Sequence, residues 1–293
     1  MLRLPILKTY KLFIGGQFLR TESGRFYQLK NKKNLVLANV CLSSRKDYKN
    51  AVVSARQAFS SWSKKSAFNR GQILYRIAEM LEGRKEQFIN ELVLQGITLK
   101  KSREELDLSI DALVYYAGWC DKYQALFSSV NPVASSHFNF SATEPTGLVS
   151  VIAPTETGIL GLISVLAPII AGGNTCVVLA SEKLPLCSIT FAEVIATSDL
   201  PAGVINILTG STDELYSHFS SHLDVNAIVY CGNNIKLHKT IMQNCALNGK
   251  RFFNWHKDWK KSENRNPYLI LDLQEIKTTW HPIETIGNNG NKY

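Results

Sequence analysis

Between residues 149 and 232, short apolar runs alternate along the chain with longer apolar or amphipathic segments. A short apolar run is typical of a strand buried on both faces, and the longer segments between such runs are typical of helices. The pattern predicts strands at 149–154, 175–180, 203–208 and 226–230, and helices at 158–171, 186–197, 211–221 and 234–247. Because strands that alternate with helices form βαβ units, we expect an α/β fold with a Rossmann-like parallel sheet and helices on both faces.

Upstream of these units, the pattern predicts an N-terminal hairpin and a helical layer. Residues 11–18 predict two short strands joined by a glycine turn at Gly15 and Gly16. Apolar residues at helical spacing predict helices at 45–62, 69–94 and 103–125. The polar stretch 128–143 is expected to be extended and to cross between layers.

Downstream of the units, the pattern weakens. Residues 251–255 predict one more strand, and the polar glycine-rich and asparagine-rich end at 287–293 is expected to be disordered. We therefore divide the chain into three parts. These are a hairpin, helices and part of an arm at 1–144, a Rossmann-like core at 145–256, and an irregular tail at 257–293.

Composition changes this picture only a little. The net charge is +9, and the six cysteines show no zinc spacing, which favours reduced cysteines and a cytoplasmic location. No apolar run reaches the roughly 18 to 20 residues of a membrane span, so we expect no membrane partner. The excess charge lies at 30–33, 100–103 and 257–265 without a known nucleic-acid motif. We expect solvated surfaces there, and a nucleic-acid binder with steep salt dependence stays a third hypothesis.

Three motifs carry a resemblance to a known family. They are Pro145-Thr-Gly-Leu-Val-Ser-Val-Ile-Ala-Pro154, Leu200-Pro-Ala-Gly-Val-Ile-Asn-Ile-Leu-Thr-Gly210 and Lys11-Leu-Phe-Ile-Gly-Gly16. In order and with few gaps, about residues 10 to 255 resemble the aldehyde dehydrogenase superfamily. A closer match is the second, C-terminal unit of the family-16 aldehyde dehydrogenases, which Ser198-Asp-Leu-Pro201 and Asp224-Val-Asn-Ala227 resemble.

The resemblance implies a chemistry whose residues this chain lacks. Aldehyde oxidation needs a thiolate, an amide donor for the oxyanion, and a carboxylate base. Where the family has the amide donor, the chain has Glu156 after Pro154-Thr155, and the region of the base reads 252–256 without a glutamate. Cys245 is predicted to be a buried structural cysteine. We expect most of the family's catalytic domain to be absent and name no catalytic residue.

The resemblance leaves cofactor binding open. In the family, a lysine and a glutamate after the second strand hold the adenosine ribose; Glu182 matches the glutamate, but Ala180 stands at the lysine position. Lys183 is a positional substitute. Gly232 matches the glycine of the turn near the cofactor diphosphate. By resemblance, the chain binds NAD or NADP through Glu182 and Gly232. The alternative is that Glu182 is a solvated loop residue and that the fold alone requires the turn at Gly232.

Two functional hypotheses follow from the resemblance. The first is a catalytically inactive aldehyde-dehydrogenase-like module that acts in assembly, either as a homo-oligomer or with a catalytic aldehyde dehydrogenase unit. The alternative is an NAD(P)-dependent oxidoreductase acting on aldehydes, with the missing catalytic half supplied elsewhere. In the family, a β-arm builds dimers, and residues 128–143 resemble part of that arm. We expect the C-terminal half of the arm to be missing. The strand edge left unpaired would then favour pairing with another strand.

Overall fold

A computed structural model describes residues 6–283 of the chain. The strands are β1 (Thr9–Tyr10), β2 (Leu12–Ile14), β3 (Gln17–Leu19), β4 (Phe26–Lys30), β5 (Val36–Cys41), β6 (Ser129–Asn131), β7 (His137–Pro145), β8 (Leu148–Ile152), β9 (Thr175–Leu179), β10 (Ile205–Leu208), β11 (Ala227–Tyr230), β12 (Arg251–Asn254) and β13 (Gln274–Pro282). The helices are α1 (Arg45–Ser63), α2 (Ala67–Gly83), α3 (Lys85–Leu94), α4 (Leu99–Trp119), α5 (Tyr123–Phe127), α6 (Leu160–Ala171), α7 (Leu186–Ala196), α8 (Thr212–Ser221), α9 (Ile235–Ala246) and α10 (Tyr268–Leu271), with a 3-10 turn at Ser262–Asn264.

A seven-stranded sheet forms the centre, in the order β12-β11-β8-β9-β10-β2-β3. The first five strands are parallel. The hairpin β2–β3 extends the same sheet, because β2 pairs antiparallel with β10 through Phe13 and Ile207. The hairpin is therefore an edge of the central sheet, and the expected Rossmann-like α/β fold is confirmed.

Successive residues of the buried strands point to two different hydrophobic cores. In β9, Cys176 and Val178 belong to one core, while Val177 and Leu179 belong to the other. Helices α6 and α7 cover the first face and are themselves covered by α2, α3 and α4; α1, α8 and α9 cover the second face. This double cover explains why the strands are continuous apolar runs with no polar face.

Local signals set where most of the long helices begin. The Ser44 hydroxyl accepts from the backbone N–H of Asp47, whose carboxylate accepts from the Ser44 N–H, which forms a capping box for α1. Ser66 and Thr98 cap α2 and α4 in the same way with their hydroxyls. Helix α6 differs, because it is buried along its whole length and has no capping side chain of its own. None of the helices within residues 6–283 has the length and apolar character needed to cross a membrane.

The segment after residue 256 differs from the expected irregular tail, since it holds α10 and the nine-residue strand β13. β13 pairs antiparallel with β7 from Gln274 opposite Pro145 to Pro282 opposite His137, in a sheet of order β13-β7-β6. The prediction that the arm lacks its C-terminal half was therefore wrong. The error has a physical cause. Most of β13 is exposed, so the strand forms by backbone pairing and its sequence lacks the alternation of apolar residues that predicts a strand.

Two other boundaries complete the comparison with the sequence. The region 69–94 is two helices, α2 and α3, which meet at Arg84. The predicted strand at 251–255 is β12, which pairs in parallel with β11. Residues 287–293 lie outside the described residues, and the three-part division of the chain stays a prediction.

Candidate functional site

The order of the strands identifies one crevice as the candidate site. From β8 the chain passes to β9 and β10 on one side of the sheet, and β11 and β12 then lie on the other side of β8. In open α/β sheets, ligands bind at the carboxyl ends of the strands where this reversal occurs. A cavity of about 390 Å³ lies there, lined by residues from the ends of β8, β11 and β12. The lining is Pro154, Thr155, Glu156, Thr157, Cys231, Gly232, Asn233, His256, Lys257, Asp258, Trp259 and Lys260.

Glu156 follows β8 and stands where the resemblance implies an amide donor. Its Oε1 accepts from Lys183 Nζ at 3.2 Å and from Thr155 Oγ1 at 3.1 Å. These bonds, that of Lys183 first, hold the pKa of the Glu156 carboxyl below its ordinary value. An ionised carboxylate only accepts hydrogen bonds, so this side chain cannot stabilise a developing oxyanion.

Gly232 lies in the turn between β11 and α9, and the ring of Tyr230 folds over it. A Cβ added to Gly232 would lie 2.4 Å from Tyr230 Oη and 2.6 Å from Cζ. The same Oη accepts from the Asn234 N–H at 3.2 Å. The turn therefore requires glycine for a packing reason that is independent of any cofactor.

The start of α9 is satisfied by its own residues. Asn234 Oδ1 accepts from the amides of Lys236 at 3.0 Å and Leu237 at 3.2 Å. A helix N-terminus attracts a phosphate because its first amides lack partners. Here the amides of Asn234, Lys236 and Leu237 already have acceptors within the protein. A diphosphate would have to displace these acceptors.

Glu182 lies in the loop after β9 and is exposed. Its Oε2 accepts from the backbone N–H of Thr212, the first residue of α8, at 3.3 Å. A carboxylate at a helix N-terminus is a favourable placement in its own right. Ala180, at the lysine position of the resemblance, is 4% exposed.

The structure does not bring Glu182 and Gly232 together. They follow β9 and β11, which flank β8 on opposite sides, so their strands are about 10 Å apart. The pair that does form joins the loops after β8 and β9, between Glu156 and Lys183. The assignment of Glu182 and Gly232 to cofactor binding stays a prediction.

The end of β12 carries no acid at the position of the family's base. Asn254 Oδ1 accepts from the His256 N–H at 3.3 Å, and His256 Nδ1 lies 3.3 Å from the carbonyl oxygen of Cys231. His256 therefore bridges the ends of β12 and β11. No cysteine side chain is bonded to it among the described residues.

The cysteines are all free and buried. Burial raises the pKa of Cys245 to about 11 and that of Cys120 to about 12, and raises those of Cys176, Cys187 and Cys231 as well. Because a thiolate is the reactive form, these thiols are inert near neutral pH. The prediction that Cys245 is a buried structural cysteine is confirmed. Within residues 6–283, no group of three or more potential metal-ligating side chains occurs.

A second helix at the crevice, α6, is also closed to an anion. The backbone amides of Gly158, Ile159 and Leu160 donate to Oε1 of Glu105 at 2.8, 2.8 and 3.2 Å. The starts of α6 and α9 thus offer few free donors to a diphosphate. The sequence pattern gave no sign of Glu105, since it acts through a tertiary contact. The contact of Tyr230 is local, within the turn after β11, and Asn234 before an amphipathic helix is a recognisable capping signal.

The comparisons with known proteins agree with this fold. The pattern described as "Aldehyde dehydrogenase family" matches residues 18–253. The chain therefore belongs to the aldehyde dehydrogenase family. It is 32% identical over 251 residues to the cytosolic 10-formyltetrahydrofolate dehydrogenase of Mus musculus, covering 84% of this chain and 28% of that protein. It is 28% identical over 294 residues to an aldehyde dehydrogenase of Emericella nidulans, covering 98% and 57% respectively.

Solved structures give the same result. An aldehyde dehydrogenase from Bacillus cereus in complex with NAD⁺ has a TM-score of 0.80 and 25% identity, covering 84% of this chain and 50% of that one. A betaine aldehyde dehydrogenase from Staphylococcus aureus in complex with NAD⁺ has a TM-score of 0.79 and 26% identity, with coverage of 84% and 49%. The chain thus spans between about a quarter and somewhat more than half of the relatives named here.

Proposed function

We propose that this chain is a catalytically inactive aldehyde-dehydrogenase-like module that acts in assembly or protein partner binding. The observation that carries the proposal is Glu156, an ionised acceptor at the position that the resemblance gives to the oxyanion donor, paired with Lys183. A developing oxyanion beside an ionised carboxylate is repelled.

Two further observations support the lack of independent activity. The cysteines with resolved pKa shifts all have raised values, so no activated thiolate is present among them. No carboxylate stands at the end of β12, from Asn254 to His256, where the resemblance places the base. Aldehyde-dependent NADH formation by the purified chain, measured by absorbance against a no-protein control, is expected to be zero. Formation above the control contradicts the proposal.

The arm formed by β6, β7 and β13 supports the assembly part of the proposal. Its two outer strands lack a partner on their outer edges among the described residues, and its side chains include Val130 at 67%, Phe138 at 46% and Trp280 at 56% exposure. Exposed strand edges and apolar side chains favour association with another chain. The expected partner is a second copy of this chain or a catalytic aldehyde dehydrogenase unit in the cytoplasm, with no role for nucleic acid or membrane.

Light scattering after size-exclusion chromatography tests the homo-oligomer. We expect the wild type to elute above its monomer mass of 32.8 kDa and the double variant Val130→Ser/Phe138→Ser to shift toward the monomer. Leu223→Ser is the matched control, because Leu223 is 84% exposed on a different surface. If the wild type is a monomer at all concentrations, mixing with a catalytic aldehyde dehydrogenase tests the second partner; absence of both complexes rejects the assembly role.

The alternative is an NAD(P)-dependent oxidoreductase that acts on aldehydes together with a catalytic half supplied elsewhere. NAD⁺-bound relatives with the same fold favour this alternative, and Glu182 is the residue that would hold the adenosine ribose. Titration calorimetry with NAD⁺ and NADH separates the two proposals. Micromolar binding that is lost in Glu182→Ala favours the alternative, whereas no binding at millimolar cofactor leaves the assembly module.

A further inference from the structure

The cap residue of α6 makes no side-chain hydrogen bond to the start of the helix, as is also the case for α3, α7 and α8. The cap position of α6 is Ile159, which offers no hydrogen-bonding side chain, and its first turn contains no acidic residue. The amides of Gly158, Ile159 and Leu160 nevertheless all have the same acceptor, Oε1 of Glu105. One carboxylate oxygen from a distant helix thus satisfies three successive backbone donors.

Glu105 is built into the interior for this contact. It lies on α4, is 4% exposed, and within residues 6–283 it has no lysine or arginine nitrogen within 4.0 Å. A buried carboxylate without a cation must be stabilised by hydrogen bonds to its charged form. The amides and the dipole of α6 supply that stabilisation, because the N-terminus of a helix carries partial positive charge.

Gly158 allows the loop after β8 to pack closely against Leu92 of α3, next to Glu105. A Cβ at this position would lie 2.5 Å from Leu92 Cδ2 and 3.8 Å from Glu105 Oε1. Without a side chain, the loop after β8 packs directly against α3 and α4. The amides therefore face the interior side chain of Glu105 and do not face the crevice.

We propose that Glu105 is a built-in anion that takes the place of a phosphate or carboxylate ligand at the N-terminus of α6. It thereby closes the first βα turn of the sheet to phosphate groups. An anionic ligand of the crevice would then meet Lys257 and Lys260, which line it beyond the end of β12. The proposal does not depend on whether the module is catalytically active.

Chemical rescue by formate tests this role, since formate is the smallest carboxylate that could fill the space left by Glu105→Ala. We expect this variant to melt roughly 5 °C or more below the wild type. Sodium formate should restore part of the loss, while sodium chloride at equal ionic strength should not. Glu104→Ala is the matched control, because Glu104 is the exposed neighbour on the same helix.

A second variant separates charge from shape. Glu105→Gln keeps an oxygen acceptor of the same reach but removes the charge, so it should also melt below the wild type and should not respond to formate. Equal melting of Glu105→Gln and the wild type, or equal effects of formate and chloride on Glu105→Ala, overturns the proposal. If Glu105→Ala does not fold in chloride, its refolding yield in formate against chloride gives the same comparison.

Discussion

The central sheet and the arm are both β structures, but they are held together by different forces. Strands β8 and β9 are buried at every position, between two layers of helices. In the arm, β13 is largely exposed and is defined by its backbone pairing with β7. The central sheet therefore owes its stability to apolar burial, whereas the arm depends mainly on backbone hydrogen bonds.

The largest expected effect comes from a tryptophan in the interior. Trp62 is fully buried, and its Nε1 donates to the carbonyl oxygen of Ile170 at 3.2 Å, which joins α1 to α6. Trp62→Ala should lower the free energy of unfolding by about 4 kcal/mol, through lost burial and a cavity. Chemical denaturation measures this value. A loss below about 1 kcal/mol would contradict the claim that apolar burial between helices and the central sheet dominates the stability of this region.

The second effect concerns a buried lysine just before β12. Lys250 is 8% exposed, its Nζ donates to the His222 carbonyl at 2.7 Å, and burial lowers its pKa from 10.5 to about 8. Because the folded state releases the proton first, this group makes the free energy of unfolding rise with pH between about 8 and 10.5, by on the order of 2 to 3 kcal/mol. At lower pH, the cost of burying the charge is fully present.

A lysine variant isolates this contribution from the titration of other groups. Lys250→Met removes the buried charge, so its stability relative to the wild type should fall as pH rises from 7 to 9.5. Lys277→Met on the arm is the control, since the Lys277 side chain is 63% exposed and pairs with Glu144. Urea denaturation at a series of pH values measures both. A parallel pH dependence for Lys250→Met and the wild type would contradict the prediction.

The third effect lies at the crevice. Gly232→Ala places a methyl group 2.4 Å from Tyr230 Oη, so it should lower the free energy of unfolding by about 1 to 3 kcal/mol. The cost should shrink in a Tyr230→Ser background, where the ring is absent. Gly118→Ala is the control: its Cβ would meet nothing within 4 Å in α4, and it should stabilise the protein slightly. Equal costs of Gly232→Ala in both backgrounds would show that Tyr230 is not the reason for the glycine.

The same contrast explains how much could be predicted from the sequence. The apolar runs at 149–154 and 175–180 predicted central strands, because burial on both faces leaves a continuous apolar signal. The strand β13 gave no such signal. The contact of Glu105 joins residues 53 positions apart and depends on how helices pack, so no local pattern encodes it. The contact of Tyr230 spans only four positions, but no apolar periodicity marks it. The resemblance indicated Glu182 and Gly232, but not that Glu156 would pair with Lys183.

The smallest effect on folding is expected in the arm, and it also sharpens the comparison. Trp280 is 56% exposed, with its ring edge-on to His137 at a centroid distance of 5.8 Å. Trp280→Ala should change the free energy of unfolding by less than about 0.5 kcal/mol in dilute protein, since little burial is lost. If the arm mediates association, the melting temperature of the wild type should rise with protein concentration, and that of Trp280→Ala should rise less. The two tryptophans would then differ for one reason: Trp62, on α1, is buried by its own chain, whereas Trp280, on β13, is buried by a partner. Concentration-independent melting of both proteins would instead assign the arm to the folded monomer alone.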